Sequence, residues 1–175
     1  MRSGTVAVIG KANAGKSTLI NVLVGEKVAI VSPKPQTTRD RILGVLTRED
    51  HQIVFVDTPG IYKSRNALTE EMMKTTETTS RDVDAVLYVL DGHAGVKEED
   101  AQLIKKYAAL GVPLIVAYTK IDIMPKENIP ADVKTLFEAG VTADVYPVSA
   151  RKGQNLKKLE EGIAAMLPEG GRIFG

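Results

Sequence analysis

Cysteine is absent from this chain of 175 residues. Without thiols there is no disulfide framework, no thiolate metal site and no cysteine nucleophile, and a reducing compartment is the natural setting. An excess of one charge is missing too: Lys and Arg number 23 against 22 Asp and Glu. No global basic field draws the protein onto nucleic acid or anionic lipid, so any RNA contact must be local. No apolar run approaches the roughly 20 residues that span a bilayer, and Met1-Arg2-Ser3-Gly4 lacks the apolar stretch of a secretion signal. Internal repeats, low-complexity tracts and an interdomain linker are also missing. What remains is a composition 43% apolar, enough to bury one core, and the expectation is a single soluble, untargeted domain over residues 1–175.

Short β-branched runs end in turn or polar signals at Thr5–Ile9, Ile53–Asp57, Ala85–Leu90 and Leu114–Tyr118, with a further strand at Asp144–Val148. Helical patterns alternate with them at Lys16–Val24, Thr69–Ser80, Lys97–Leu110, Pro130–Ala139 and Leu156–Leu167. Alternation of this kind requires right-handed crossovers and a doubly wound sheet with helices on both faces, ligands sitting at the carboxyl ends of the strands. Ile42–Thr47 departs from the pattern. Only Arg48, Glu49, Asp50 and His51 separate it from Gln52–Asp57, too few for a crossover helix, so these two runs form an antiparallel hairpin. The fold class is therefore α/β in three layers with a six-stranded mixed sheet. Residues 33–40 and the stretch from Pro59 onward read as long loops.

Gly10-Lys11-Ala12-Asn13-Ala14-Gly15-Lys16-Ser17 fits the pattern G-x-x-x-x-G-K-S/T and lies between a strand and a helix. Glycines let the backbone N–H groups wrap a β-phosphate, the helix N-terminus adds its positive dipole end, Lys16 reaches β and γ oxygens and Ser17 ligates Mg²⁺. A mere tight turn would not require Lys and Ser after the second glycine. Asn13, Ala14, Gly15 and Thr18 complete the expected phosphate cradle. Asp57-Thr58-Pro59-Gly60 ends an apolar strand, where a carboxylate can hold Mg²⁺ and the Gly60 N–H can meet a γ-phosphate. Taken alone that tetrapeptide is an ordinary turn; behind a phosphate loop it reads as a triphosphate sensor. Thr37 and Thr38 stand in the intervening loop, with Thr38 preferred as a ligand to Mg²⁺ and γ-phosphate and a solvated loop threonine as the plain alternative.

Base recognition is expected from Thr119-Lys120-Ile121-Asp122. Asp122 would accept from the paired N1 and N2 donors of guanine, which adenine lacks, while the Lys120 stem packs on the ring. Ser149-Ala150-Arg151, after the last strand, would place a backbone N–H at the guanine O6. The usual first residue of such a base motif is Asn; here it is Thr119, whose hydroxyl braces the loop only in part. Guanine preference with affinity reduced by about ten-fold at most is the expectation, one hydrogen bond being worth about 1 kcal/mol.

These elements in this order resemble translation-factor-related GTPases, and Lys34-Pro35-Gln36-Thr37-Thr38-Arg39 with Val56-Asp57-Thr58-Pro59-Gly60 resembles the G domain of the Era family. Der and MnmE share the Thr-Thr-Arg-Asp run at 37–40; the preceding Lys-Pro-Gln favours Era. The resemblance covers nearly the whole chain. It implies a small G protein fold, GTP and GDP as ligands, Mg²⁺, and action in assembly of the small ribosomal subunit through its RNA or assembly factors. It further implies a cytoplasmic monomer with no DNA partner, peripheral contact at the inner membrane being left open. Era-like proteins bind RNA mainly through a KH domain after the G domain, and this sequence stops near Leu167-Pro168-Glu169-Gly170, where that family enters its linker.

Ile61 follows Gly60, and its side chain cannot orient a nucleophilic water. Catalytic help must come from elsewhere. Asn13 matches the asparagine that in potassium-activated members of this class helps hold K⁺ against the phosphates, so K⁺-stimulated turnover is expected, with a simple turn-forming role as the alternative. Lys16, Thr38, Gly60 and Asn13 form the expected catalytic set, acting at a slow unassisted rate of ~10⁻⁴ to 10⁻² s⁻¹. A nucleotide-sensing interaction module with negligible hydrolysis stays open beside the enzyme, and a P-loop ATPase is disfavoured by Asp122. Arg39 and Arg41 read as solvated or partner-facing, and Met72 and Met73 as core filler or helix-face contacts. Four basic residues (Lys27, Lys34, Arg39, Arg41) against Glu26 and Asp40 make a local charge of +2 that RNA phosphate could meet, though a solvated loop accounts for it as well. His51 and His93 lack partners at metal or triad spacing and read as surface residues.

Overall fold

The computed structural model describes residues 1–10, 15–25, 41–57, 83–109 and 111–171. Its elements are β1 (Arg2–Ile9), α1 (Lys16–Val24), β2 (Arg41–Thr47), β3 (His51–Asp57), β4 (Ala85–Asp91), α2 (Glu98–Ala108), β5 (Leu114–Thr119), α3 (Asn128–Glu138), β6 (Asp144–Pro147) and α4 (Leu156–Ala165), with one 3₁₀ turn at Ile121–Ile123. One six-stranded sheet runs in the order β2-β3-β1-β4-β5-β6. Only β2 is antiparallel to its neighbour, as its short link to β3 requires. The expected three-layer α/β fold with a mixed sheet is what the chain adopts; the helix expected at Thr69–Ser80 lies outside the described residues.

Strand periodicity sorts the core into two halves. Val6 and Val8 of β1 point into a cluster with Leu19, Ile20 and Leu23 of α1 and Leu159 and Ile163 of α4. Ala7 and Ile9 point the other way, toward Ile104 and Tyr107 of α2 and Leu136 of α3. The central strands are therefore apolar on both faces, which is why they read as unbroken runs rather than alternating ones. Helix ends shift by a residue or two. α3 begins at Asn128, not Pro130, because a proline in the first turn gives up an N–H that has no helical partner there.

Register then decides where chemistry can occur. Val8 pairs with Asp57, Asp91 with Thr119 and Tyr118 with Pro147. Parallel strands bring the carboxyl ends of β1, β3, β4, β5 and β6 to one edge of the sheet.

One expectation is corrected at the opposite edge. His51 is buried, its Nε2 lying 2.9 Å from Glu160 Oε2 and its Nδ1 2.9 Å from Asp50 Oδ1. It opens β3, and pairing at the sheet brings it under α4, a long-range neighbour that local sequence does not reveal. His93 is exposed, as expected. Arg48 adds two 3.2 Å contacts to the Glu160 carboxylate. Burial pushes the Glu160 carboxyl up, but hydrogen bonds from Arg48 and His51, with the Arg48 and His51 charges, outweigh it and hold it below the ordinary carboxylate range. A depressed carboxyl contributes stability above its unfolded value and loses it as pH falls through the folded one. Glu160→Gln is therefore expected to lower Tm by about 3 °C at pH 7, equivalent to about 1 kcal/mol. Thermal melts from pH 7 to pH 3 check it: the gap to wild type should close in acid, and a gap that persists at pH 3 rules out the ionic origin.

Candidate nucleotide site

The first wall of the site comes from Gly10 at the end of β1 and from Gly15 and the start of α1. Gly15 precedes α1 at φ 87°, a left-handed conformation that costs a residue with Cβ about 1–2 kcal/mol. Gly10 faces a different constraint: a Cβ there would lie 2.7 Å from the Val89 carbonyl and 3.4 Å from the Lys16 side chain. The glycines thus serve, respectively, backbone direction and close approach. Lys16 enters from the first turn of α1, 6% exposed, and its Nζ meets Asp57 Oδ1 at 2.9 Å. Two sequence-predicted residues 41 positions apart are in contact. Ser17 and Thr18 are exposed beside them at the start of α1.

The second wall is built at the ends of β4, β5 and β6. Thr119 is buried, and its hydroxyl donates to the Leu90 carbonyl at 3.1 Å. Lys120 adopts φ 64°, one of two non-glycine residues with positive φ among those described. Strain of that sort persists where surrounding structure imposes it and concentrates at binding sites. The turn throws Asp122 toward the end of β6, where the buried Ser149 hydroxyl donates to Asp122 Oδ1 at 2.8 Å. Ser149 Oγ in turn accepts the Lys152 N–H at 3.0 Å, and Ser149 exchanges backbone hydrogen bonds with Gln154. The loop at 149–154 is thus pinned on itself and on the Asp122 loop.

Between the walls lies a cavity of about 220 Å³ lined by Gly15, Thr18, Lys120, Asp122, Ala150 and Arg151, among others. Residues predicted for phosphate and for base therefore share one cleft. Asn13, Ala14, Thr38 and Gly60, together with Ile61, Arg39, Met72 and Met73, lie outside the described residues. Sequence reasoning missed Asp91. Its Oδ2 takes the Lys120 ammonium at 2.8 Å while Oδ1 accepts the N–H groups of His93 and Ala94. An acid closing an apolar strand at the same sheet edge as Asp57 was the available signal.

Among the described residues no group of three or more His, Asp or Glu side chains could hold a metal. Mg²⁺ that binds with a nucleotide is held through one or two protein oxygens and substrate phosphates rather than by a protein cage. The hydroxyl of Ser17 and the carboxylate of Asp57 are oxygen donors of the hard type this ion prefers.

A mixed sheet, a glycine-flanked lysine at a helix start and a carboxylate loop across one cleft define a P-loop GTPase domain. The chain belongs to the family described as 50S ribosome-binding GTPase, which it matches over residues 5–120. Its sequence is 43% identical over 173 residues to GTPase Era of Caldanaerobacter subterraneus subsp. tengcongensis, covering 99% of this chain and 58% of that protein. Among solved structures it is similar to Aquifex aeolicus Era bound to GDP and AlF₄⁻, with a TM-score of 0.80 and 36% identity over the whole chain and 60% of the other. It is equally similar, at 0.80 and 38%, to Era in complex with MgGDPNP and nucleotides 1506–1542 of 16S ribosomal RNA, again covering 60% of that protein. The chain spans less than two thirds of the length of these relatives.

Proposed function

We propose that this chain is a guanine-nucleotide switch that binds GTP with Mg²⁺, hydrolyses it slowly, and works in assembly of the small ribosomal subunit. The observation that carries this reading is one cleft lined by Gly15 and Thr18, which flank the Lys16–Asp57 pair at the start of α1, and by Asp122, braced by Ser149. Such a cleft offers charge to phosphates and a fixed acceptor pair to a purine with adjacent N–H donors. Phosphoryl transfer asks little covalent chemistry of the protein; positioning and charge stabilisation do most of it.

In this reading Lys16 leaves Asp57 for the β and γ oxygens, and the backbone from Asn13 to Thr18 cradles the phosphates. Ser17, Thr38 and Asp57 are the residues that would hold Mg²⁺, which when bound neutralises phosphate charge. Gly60 senses the γ-phosphate through its N–H. Asp122 reads the guanine edge, Lys120 covers one face, and Ser149, Ala150 and Arg151 close the loop near O6. Residues 1–175 act as one GTPase domain in the cytoplasm. The relatives with bound GDP, MgGDPNP and 16S RNA support nucleotide and ribosomal RNA as partners.

Hydrolysis of GTP in matched KCl and NaCl, with excess ATP as competitor, tests the proposal. Turnover on the order of ten-fold faster in K⁺ and indifferent to ATP is expected, Asn13 then holding a cation where other enzymes place an arginine. Equal rates in both salts remove the role of K⁺. No phosphate release in either salt with GDP still bound would replace the enzyme with a nucleotide-sensing module, and inhibition by ATP would overturn guanine selectivity.

A further inference from the structure

The loop expected to read the base begins at Thr119. A side-chain amide at position 119 would supply two donors and an acceptor, whereas the Thr119 hydroxyl has one proton, and the Leu90 carbonyl takes it. Yet the next residue, Lys120, holds a left-handed backbone and extends a four-carbon stem along the cleft. Its Cε lies 4.0 Å from where a Cβ on Gly15 would stand, so the stem crosses from the base loop to the phosphate turn. A lysine has many rotamers, and such a stem makes a flat apolar wall only if its far end is held.

The turn after β4 supplies the hold. Asp91 Oδ2 accepts from Lys120 Nζ at 2.8 Å, while Oδ1 is fixed by the N–H groups of His93 at 2.9 Å and Ala94 at 3.2 Å. The Gly92 N–H donates to the Thr119 carbonyl at 2.9 Å, and a Cβ on Gly92 would come within 2.5 Å of that oxygen. Turn and base loop are thus joined by backbone, and the turn's own N–H groups aim the carboxylate at Lys120. Asp91 is 18% exposed and Lys120 36%, so the pair is partly shielded from solvent.

We propose that Asp91 is a positioning residue for guanine: it acts through Lys120, fixing the lysine stem as the wall on which the purine lies. This rests on the reading of the cleft as a guanine-nucleotide site. Asp91→Asn isolates the effect, because an asparagine oxygen can still accept from His93 and Ala94 while the charge facing Lys120 is lost.

GDP affinity and nucleotide-free Tm, measured for the wild type, Asp91→Asn, Lys120→Ala and the double variant, decide the matter. Asp91→Asn should raise the Kd for GDP about five-fold, the scale of a partly exposed ion pair, with Tm within about a degree of wild type. In the Lys120→Ala background the same change should have no further effect, since a residue acting through the lysine has nothing left to act on. Unchanged affinity, an equal loss in both backgrounds, or a fall in Tm of several degrees overturns the assignment and leaves Asp91 a turn former. Failure of the wild type itself to bind GDP would defeat the guanine reading, and this assignment with it.

Discussion

Lys16→Ala should lower single-turnover GTP hydrolysis by at least ~100-fold, because the phosphates lose the one side-chain cation placed at the start of α1. The position of that cation follows from local structure: the left-handed Gly15 turns the chain into the helix, and the first helical side chain points back over the strand ends. At 6% exposure, Lys16 is held by its surroundings and makes a 2.9 Å contact with Asp57. On the proposed reading, incoming phosphate would compete with that carboxylate for Lys16. Removing the lysine also takes this partner from Asp57, costing about 1–2 kcal/mol and a few degrees of nucleotide-free Tm. Phosphate release under single turnover, with a melt of the same sample, separates the two effects. The partner variant should move the other way: Asp57→Asn leaves the lysine charge uncompensated and should tighten Mg²⁺-free GDP binding several-fold. Near-normal turnover in Lys16→Ala would sink the phosphate role assigned here.

The readable and unreadable parts of this chain divide by range of interaction. Lys16 and Asp57 could be placed from sequence because each ends or follows a strand whose apolar run is visible, and parallel register brings such ends to one edge. Asp122 could be named for the same reason, as could the hairpin at residues 42–57, where a four-residue link permits nothing else. His51 was misread because its burial depends on Glu160, 109 residues away on another layer. Asp91 was overlooked because its importance depends on the left-handed Lys120, a backbone state not written in residue type when the residue is not glycine. Helix boundaries drifted by one or two residues, as at Pro130, since propensity changes little across a frayed end.

Asp122→Asn should weaken GDP binding by ~100-fold and give xanthosine diphosphate the advantage. A carboxylate offers acceptors only, matching the adjacent N1 and N2 donors of guanine with two charge-assisted bonds worth about 1.5–3 kcal/mol each. Asparagine replaces one acceptor with a donor, which faces the guanine amino group badly but suits the carbonyl that xanthine carries at that position. The swap should be clean because the aiming of residue 122 does not rest on its charge alone: the buried Ser149 hydroxyl can donate to an amide oxygen as it does to Oδ1. Ser149 is itself held by the hydrogen bonds at Lys152 and Gln154, so the loop should keep its form in the variant. Competition of GDP, xanthosine diphosphate and ADP against a labelled nucleotide measures the change. Loss of all three equally would mean that residue 122 maintains the loop rather than reading the base, and unchanged preference for GDP would place the purine elsewhere in the cleft. The expected switch in preference would also bear on the loop's bracing, since a loop that keeps its shape with a neutral residue at 122 is held by the β4 turn and by Ser149 as well as by the Asp122 charge.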